Sequence, residues 1–360
     1  MKVASLLIVV TWLALAGLGP RSAHAEDLRW KQLRSLPDAE GFAGPFAGWH
    51  GKSLLVAGGA NFPDKKPWEG GAKVWYDTVY LLPNGKTEWS KVGRLPRPLG
   101  YGVSLSLKQG IYCLGGSDAN QHYRDCFTLS VTESGVETTS LPRLPQPVAN
   151  FCGATVGNAI YVAGGIETPT ATTALKAFWK LDLNQLDQGW QQLKPWPGPE
   201  RMLAVAGSSD GRFYLFGGAS LSKGADNLPV RTWLRDAYSY DPQENRWQRL
   251  ADLPRPAVAA PSPAPLVDNN RLLILGGDDG AQLDTPPTEH RGFPRSILSY
   301  NIAEDKWTTA GEVPFSLVTT PVVELPNAII VPGGEARPGV RSTEVWRGEF
   351  PAKSGSKPPR

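Results

Sequence analysis

The chain is poor in the residues that build metal sites and disulfide frameworks. Its 360 residues include three cysteines, four histidines and two methionines. An odd cysteine count argues against a complete disulfide framework. Beyond residue 25 the histidines are His50, His122 and His290, and no two of them stand at a metal-ligand spacing. No metal site is therefore expected. Charge is scarce as well: Asp, Glu, Lys and Arg make up 20% of the chain, and the formal net charge is +3. Two of those positive charges, Lys2 and Arg21, lie in the first 25 residues, which carry no acid. The rest is close to neutral and lacks the basic excess that points to nucleic acid or an anionic membrane.

Long apolar runs are also missing, with one exception at the N-terminus. Lys2 precedes an apolar run from Val3 to Leu18, followed by Pro20 and Ala23-His24-Ala25. A basic start, a short apolar core and an A-x-A end describe a secretory signal peptide over residues 1–25. A membrane anchor is the competing reading, but the run has 16 residues, and a span needs roughly 20. Cleavage near Ala25-Glu26 is expected, with a periplasmic or secreted product. The mature chain then reads as one domain over residues 26–350, with a disordered tail (PAKSGSKPPR) at 351–360.

What the chain has in abundance is a repeat. Glycine pairs stand at 58-59, 115-116, 164-165, 217-218, 276-277 and 333-334, spaced by 57, 49, 53, 59 and 57 residues. Each ends a short apolar run: SLLVAGG, IYCLGG, IYVAGG, FYLFGG, LLILGG and AIIVPGG. A period near 50 built on strand-Gly-Gly marks a kelch-type propeller. A second landmark sets the register. Trp30, Trp89, Trp190, Trp247 and Trp307 each precede a proline by seven residues, and Thr138 occupies the equivalent place before Pro145. Each unit resolves into four strands: a after the proline, b ending in Gly-Gly, c after a variable loop, and d carrying the tryptophan. Short β-rich segments between Gly, Pro and Asn turns suit antiparallel sheets, and four strands make a propeller blade.

The chain ends show how the ring closes. After Gly333-Gly334 comes a strand c (STEVWRGEF) with no strand d behind it, while the N-terminal LRWKQLRSLP is a strand d with no blade before it. Residues 28–36 are therefore expected to complete blade six. The fold class is all-β: a six-bladed propeller of four antiparallel strands per blade, the last closed by the N-terminal strand.

Alternation of strand direction puts the b–c loops and the d–a corners on one face of the ring. That face carries the long blade-one loop ANFPDKKPWEGGAKVWYD, the unusual blade-six loop from Glu335 to Arg341, and the corner arginines Arg97, Arg201 and Arg255. Recurring arginines at one position are expected to cluster, which suits bidentate capture of a carboxylate. The bland readings stand beside this. Gly-Gly is a turn at the end of strand b, the repeated tryptophans are blade packing, and corner arginines also pair with surface acids. Phe62, Trp68 and Trp75 either stack on a sugar ring or pack the blade-one loop. Cys113 reads as a buried hydrophobe; a Cys113–Cys126 bridge is open in an oxidising compartment.

Three stretches resemble the kelch-type sialic acid mutarotases (N-acetylneuraminate epimerases), in particular their cyclically permuted group. They are GFAGPFAG with LLVAGGANFPDKKPWEGG, then RPLGYGVSL, and finally GGEARPGVRSTEVW. The resemblance implies a small-molecule sugar acid as partner and catalysis without a cofactor. It implies that Glu335 is the general base and Arg341 its partner, with Arg97, Arg201 and Asn61 helping to bind substrate. It also places the catalytic blade last in a chain whose ring has been opened elsewhere. Two competing classes remain. A non-catalytic propeller that binds carbohydrate or protein has no need of the GEARPGVR motif. A copper oxidase on a kelch propeller needs two His and Tyr ligands and a Tyr–Cys cross-link, which three scattered histidines do not suit.

Overall fold

A computed structural model describes residues 28–351. The expected signal peptide (1–25) lies outside the described residues, as does all of the expected tail except residue 351. Among the described residues there are six four-stranded antiparallel sheets and three two-stranded hairpins. Blade one runs Phe46–His50, Ser53–Ala57, Thr78–Pro83 and Ser90–Arg94 in spatial order. The b strands of blades two to five are Gly110–Leu114, Ala159–Ala163, Arg212–Phe216 and Arg271–Leu275. Blade six takes Val323–Leu325, Ala328–Pro332 and Val345–Glu349 from the C-terminal end and Arg29–Gln32 from the N-terminal end. In the closing pair, Trp30 lies opposite Gly348 and Gln32 opposite Trp346. The ring is shut as the repeat count predicts, and strand Val345–Glu349 has no open edge to expose.

The b strands are apolar on both faces because each sits between neighbouring blades. Leu54, Leu55 and Val56 are all buried, and alternate residues feed separate core clusters. The tryptophans of strand d staple blade to blade. The indole N–H of Trp89, Trp190, Trp247 and Trp307 donates to the carbonyl of Arg34, Pro142, Lys194 and Ala251 respectively, at 2.8–3.0 Å. Each acceptor lies in the preceding blade, so the repeated residue marks an inter-blade contact as well as packing.

The Gly-Gly pairs serve the same end. At Gly164 (φ 72°) an added Cβ would stand 2.3 Å from the Arg201 carbonyl oxygen, so no side chain fits. The next N–H, of Gly165, donates to that carbonyl at 2.8 Å. The turn thus docks the end of one b strand onto the start of the next blade.

A second ring lies inside the first. Gly44, Tyr101, Asn150, Leu203, Ala259 and Thr319, one per blade, all have φ between 54° and 63°. The N–H of each donates to the carbonyl of the member in the preceding blade at 2.7–2.9 Å, and Gly44 N closes the circle on the Thr319 carbonyl. Left-handed backbone costs an L-residue roughly 1–2 kcal/mol, and a phenylalanine-sized or β-branched residue there is an outlier. The six hydrogen bonds hold that strain in place. This belt forms the neck between a cavity on the loop face and a narrow channel lined by the a strands. Toward the opposite face the channel is lined by hydroxyls of Ser106, Thr155 and Ser208 and by Glu324. Water reaches Glu324, but protein removes bulk solvent from most sides, and this desolvation pushes its carboxyl up to about 7.

The cysteines are free. Cys113 lies opposite Phe127 and Cys126 opposite Leu114, so the two thiols leave opposite faces of the sheet, into different core clusters. The Cys113–Cys126 bridge is thus unformed for a reason of register. Burial pushes the Cys126 and Cys152 thiols up to about 12.

Candidate active site

The b–c loops and d–a corners do emerge together, and they enclose a cavity of about 510 Å³ above the belt. Glu335 and Arg341 both line it. They face one another across a small hairpin, Glu335–Arg337 with Val340–Arg341. The hairpin is pinned to the wall by paired backbone bonds between Glu335 and Val318 at 2.9 and 3.0 Å. Glu335 Oε1 accepts from Arg341 Nη1 at 2.7 Å and from the Gly339 N–H at 2.8 Å. Gly339 has φ 78°, and an added Cβ would lie 2.6 Å from Pro67 of the blade-one loop. The Pro-Gly of the motif therefore makes the turn, packs under a neighbouring loop and supplies a donor to the carboxylate.

Arg341 is buried, and three blades hold it. Its Nε donates to the Ala60 carbonyl at 3.3 Å and its Nη2 to the Tyr101 hydroxyl at 3.4 Å. Its guanidinium lies 4.8 Å from the centre of the Phe62 ring. Glu335 is half-buried, and no hydrogen bond to its Oε2 is present among the described residues. One carboxylate oxygen is thus locked and the other is open to the cavity.

Two further cations line the cavity, and neither was singled out in the sequence. Lys73 Nζ sits 5.9, 5.3 and 5.1 Å from the ring centres of Phe62, Trp75 and Tyr101. Cation–π attraction places the ammonium there. Arg231, on the blade-four hairpin Ala219–Lys223 with Pro229–Trp233, enters from the opposite wall. No carboxylate lies within 4.0 Å of either cation among the described residues. Arg231 stays exposed to solvent, but the surrounding loops desolvate its guanidinium enough to draw it below its usual value, with Asp278 and Glu335 pulling the other way. Asp118 also lines the cavity. Burial acts to raise its carboxyl, but hydrogen bonds from Tyr123 and from the N–H groups of Asn120 and Gln121 hold it below the ordinary value. His122, buried with Nδ1 2.9 Å from the Ile166 carbonyl, is lowered chiefly by desolvation.

The other three residues expected at the site are not brought to the cavity. Arg201 is 0% exposed. It makes a two-pronged pair with Asp236 at 2.9 and 2.6 Å, donates to the Gly217 carbonyl, and lies over Trp196 and Tyr238. Arg97 pairs with Asp125 and stacks on Tyr123 at 4.3 Å. Asn61 is buried, donating to Asp38 and the Gly41 carbonyl and accepting from the Tyr76 hydroxyl. Arg255, the third corner arginine, is spent on Ser296 and the Gly276 carbonyl. The corner arginines do not cluster. Each anchors its corner to the start of strand c in the blade it enters, and the belt residues take the inner positions. Phe62 and Trp75 line the cavity, whereas Trp68 packs beside Gly339.

Comparison with known proteins agrees with this architecture. The solved structure of YjhT matches with a TM-score of 0.65 at 15% identity, over 87% of this chain and 95% of that one, which shows a shared fold. The N-acetylneuraminate epimerase of Yersinia enterocolitica is 30% identical over 251 residues, 62% of this chain and 60% of that protein. That of Haemophilus influenzae is 29% identical over 239 residues, 59% of this chain and 60% of that protein. The chain thus spans about 60% of the length of these curated relatives. The family model for N-acetylneuraminate epimerase matches residues 18–137 and 141–286, so Glu335 and Arg341 lie beyond the matched stretches. On that match, the chain belongs to the N-acetylneuraminate epimerase family.

Proposed function

We propose that the protein is an isomerase that interconverts the anomers of N-acetylneuraminate or a related 2-keto sugar acid. The observation that carries this reading is the Glu335–Arg341 pair at 2.7 Å on the wall of the loop-face cavity. Glu335 takes the proton from the anomeric hydroxyl. The bond from the anomeric carbon to the ring oxygen breaks, leaving a ketone, and re-closure on the other face inverts the centre. General-base assistance of this kind contributes roughly 10²–10⁴-fold. Arg341 holds the carboxylate in place and remains charged; a guanidinium is a poor proton donor.

A sugar acid also needs a place for its own carboxylate. Lys73 and Arg231, cations without a carboxylate within 4.0 Å among the described residues, supply it from two sides of the cavity. This replaces the expected role of Arg97, which shares Asp125 with Arg143, and of Arg201, which is buried against Asp236. We also propose that the protein acts in the periplasm or outside the cell, as the leader-like first 25 residues suggest; fractionation of the native host checks this.

The direct test follows a freshly released α-anomer of N-acetylneuraminate by NMR. The wild-type protein should speed equilibration well above the spontaneous rate, and Glu335→Gln should not. Equal rates for the two proteins would overturn the assignment.

A further inference from the structure

We infer that the Tyr101 hydroxyl is the acid that protonates the ring oxygen, held against Glu335 through the shared guanidinium of Arg341. This rests on the mutarotase reading above and supplies the proton donor that reading leaves unnamed.

Three observations converge on Tyr101. The first is its connection to the base. Arg341 Nη1 donates to Glu335 at 2.7 Å and Nη2 donates to the Tyr101 oxygen at 3.4 Å. Both donors belong to one planar group, so base and phenol are kept in fixed register. The second is the direction of the hydrogen bond. The guanidinium can only donate, so the phenol oxygen accepts there and its own hydrogen is left over. No acceptor for that hydrogen is present among the described residues, and Tyr101 lines the cavity. The third is backbone conformation. Tyr101 is a belt residue with φ 60°, where an aromatic residue is an outlier. The angle is common to the belt, whose hydrogen bonds impose it at this position whatever the side chain. Here the belt turns the phenol up to the wall that bears Arg341.

The charges around the phenol suit proton donation. Arg341 and Glu335 approach from blade six, Lys73 from the blade-one loop with its ammonium 5.1 Å from the ring centre, and Asp118 and His122 from blade two. Of these charged groups the two cations are the ones in contact with Tyr101, whose ring also packs edge-on against Trp75, so negative charge developing on the phenol oxygen is flanked by positive charge.

The proton balance closes without a co-reactant. In ring opening, the anomeric O–H proton goes to the Glu335 carboxylate. The Tyr101 proton goes to the ring oxygen as its bond to the anomeric carbon breaks, giving a ketone and a free hydroxyl. After rotation about the adjacent carbon–carbon bond, that hydroxyl attacks the other face of the ketone. Its proton returns to the phenolate, and Glu335 returns its proton to the new anomeric oxygen. The enzyme ends as it began.

The test compares wild type, Glu335→Gln, Tyr101→Phe and a protein with 3,5-difluorotyrosine at position 101, whose phenol is more acidic. Turnover is read by NMR anomer exchange with the uncatalysed rate subtracted; folding is checked by melting temperature. Binding is measured with the methyl ketoside, which cannot open. Tyr101→Phe should lower kcat about 10²–10⁴-fold while methyl ketoside affinity changes less than about threefold. In the difluorotyrosine protein the alkaline limb of the turnover–pH profile should move to lower pH than in wild type. Near-wild-type kcat for Tyr101→Phe beside an inactive Glu335→Gln overturns this assignment and leaves the mutarotase reading intact. An unmoved alkaline limb also overturns it, making Tyr101 a positioning residue for Arg341. Absence of wild-type turnover on any 2-keto sugar acid overturns both.

Discussion

Glu335 and Arg341 lie opposite each other in a hairpin register, and their side chains meet at 2.7 Å over the same turn whose Gly339 N–H also holds the carboxylate. Arg341 does more than neutralise. It reaches the Ala60 carbonyl, the Tyr101 hydroxyl and the Phe62 ring from one planar group. A lysine keeps the charge but cannot span those partners. Arg341→Lys should therefore lower kcat/KM at least about 10²-fold, as measured by NMR exchange, although the net charge of the site is unchanged.

Lys73 and Arg231 should behave differently from the Glu335 pair. In the proposed reaction they would hold the substrate carboxylate equally before and during ring opening, so their loss would remove uniform binding. A charge-assisted hydrogen bond contributes about 1.5–3 kcal/mol. Lys73→Ala or Arg231→Ala should raise KM roughly 10–100-fold with kcat within about threefold of wild type. Saturation kinetics separate the two quantities.

Arg201→Met should be a stability mutation and not an activity mutation. It leaves Asp236 buried without its partner, and breaking a buried pair typically costs about 3–5 kcal/mol. The side chain of Arg201 is 0% exposed and that of Asp236 12%. Chemical denaturation should show the loss, while folded protein at low temperature should retain kcat near the wild-type value.

Two histidines and one glutamate give opposite pH dependences. Burial lowers the His122 imidazole and, likewise, that of His290. A lowered value means the unfolded chain binds the proton more readily. Their contribution is complete above about pH 6.5, the unperturbed histidine value, and is lost as pH falls through their folded values. Glu324 is raised to about 7, so its contribution is complete below about pH 4.3, the unperturbed value, and is lost as pH rises through about 7. Melting temperature against pH should fall on both sides of a weakly acid optimum. Glu324→Gln should raise it at pH 8 and leave it unchanged at pH 4; His122→Gln should flatten the acid side.

The fold was legible because its signals are local. Strands b must be apolar on both faces, each Gly-Gly must adopt a backbone that a side chain forbids, and the tryptophan of strand d recurs at one offset. These features repeat within each blade, so counting them yields six blades and the closing role of Trp30. The Glu335–Arg341 pair was legible for the same reason: six residues and a Pro-Gly turn bring its members together.

The rest of the site depended on partners far apart in the chain. In sequence Arg201 reads as an open corner cation, but Asp236, 35 residues on, closes around it. Arg97 has Asp125 in the following blade, and Asn61 has Asp38 and Tyr76. Lys73 sits in a loop whose path no periodicity describes. Tyr101 belongs to a belt whose six members share no residue type, because what unites them is a backbone angle and a closed circle of hydrogen bonds. By itself, therefore, the sequence determined the blades, their number, the closure and the nearness of Glu335 to Arg341, since each is encoded in the spacing of neighbouring residues. Only the tertiary structure decided which cations remain free to meet a substrate, because a charge is free or spent according to what the ring brings beside it.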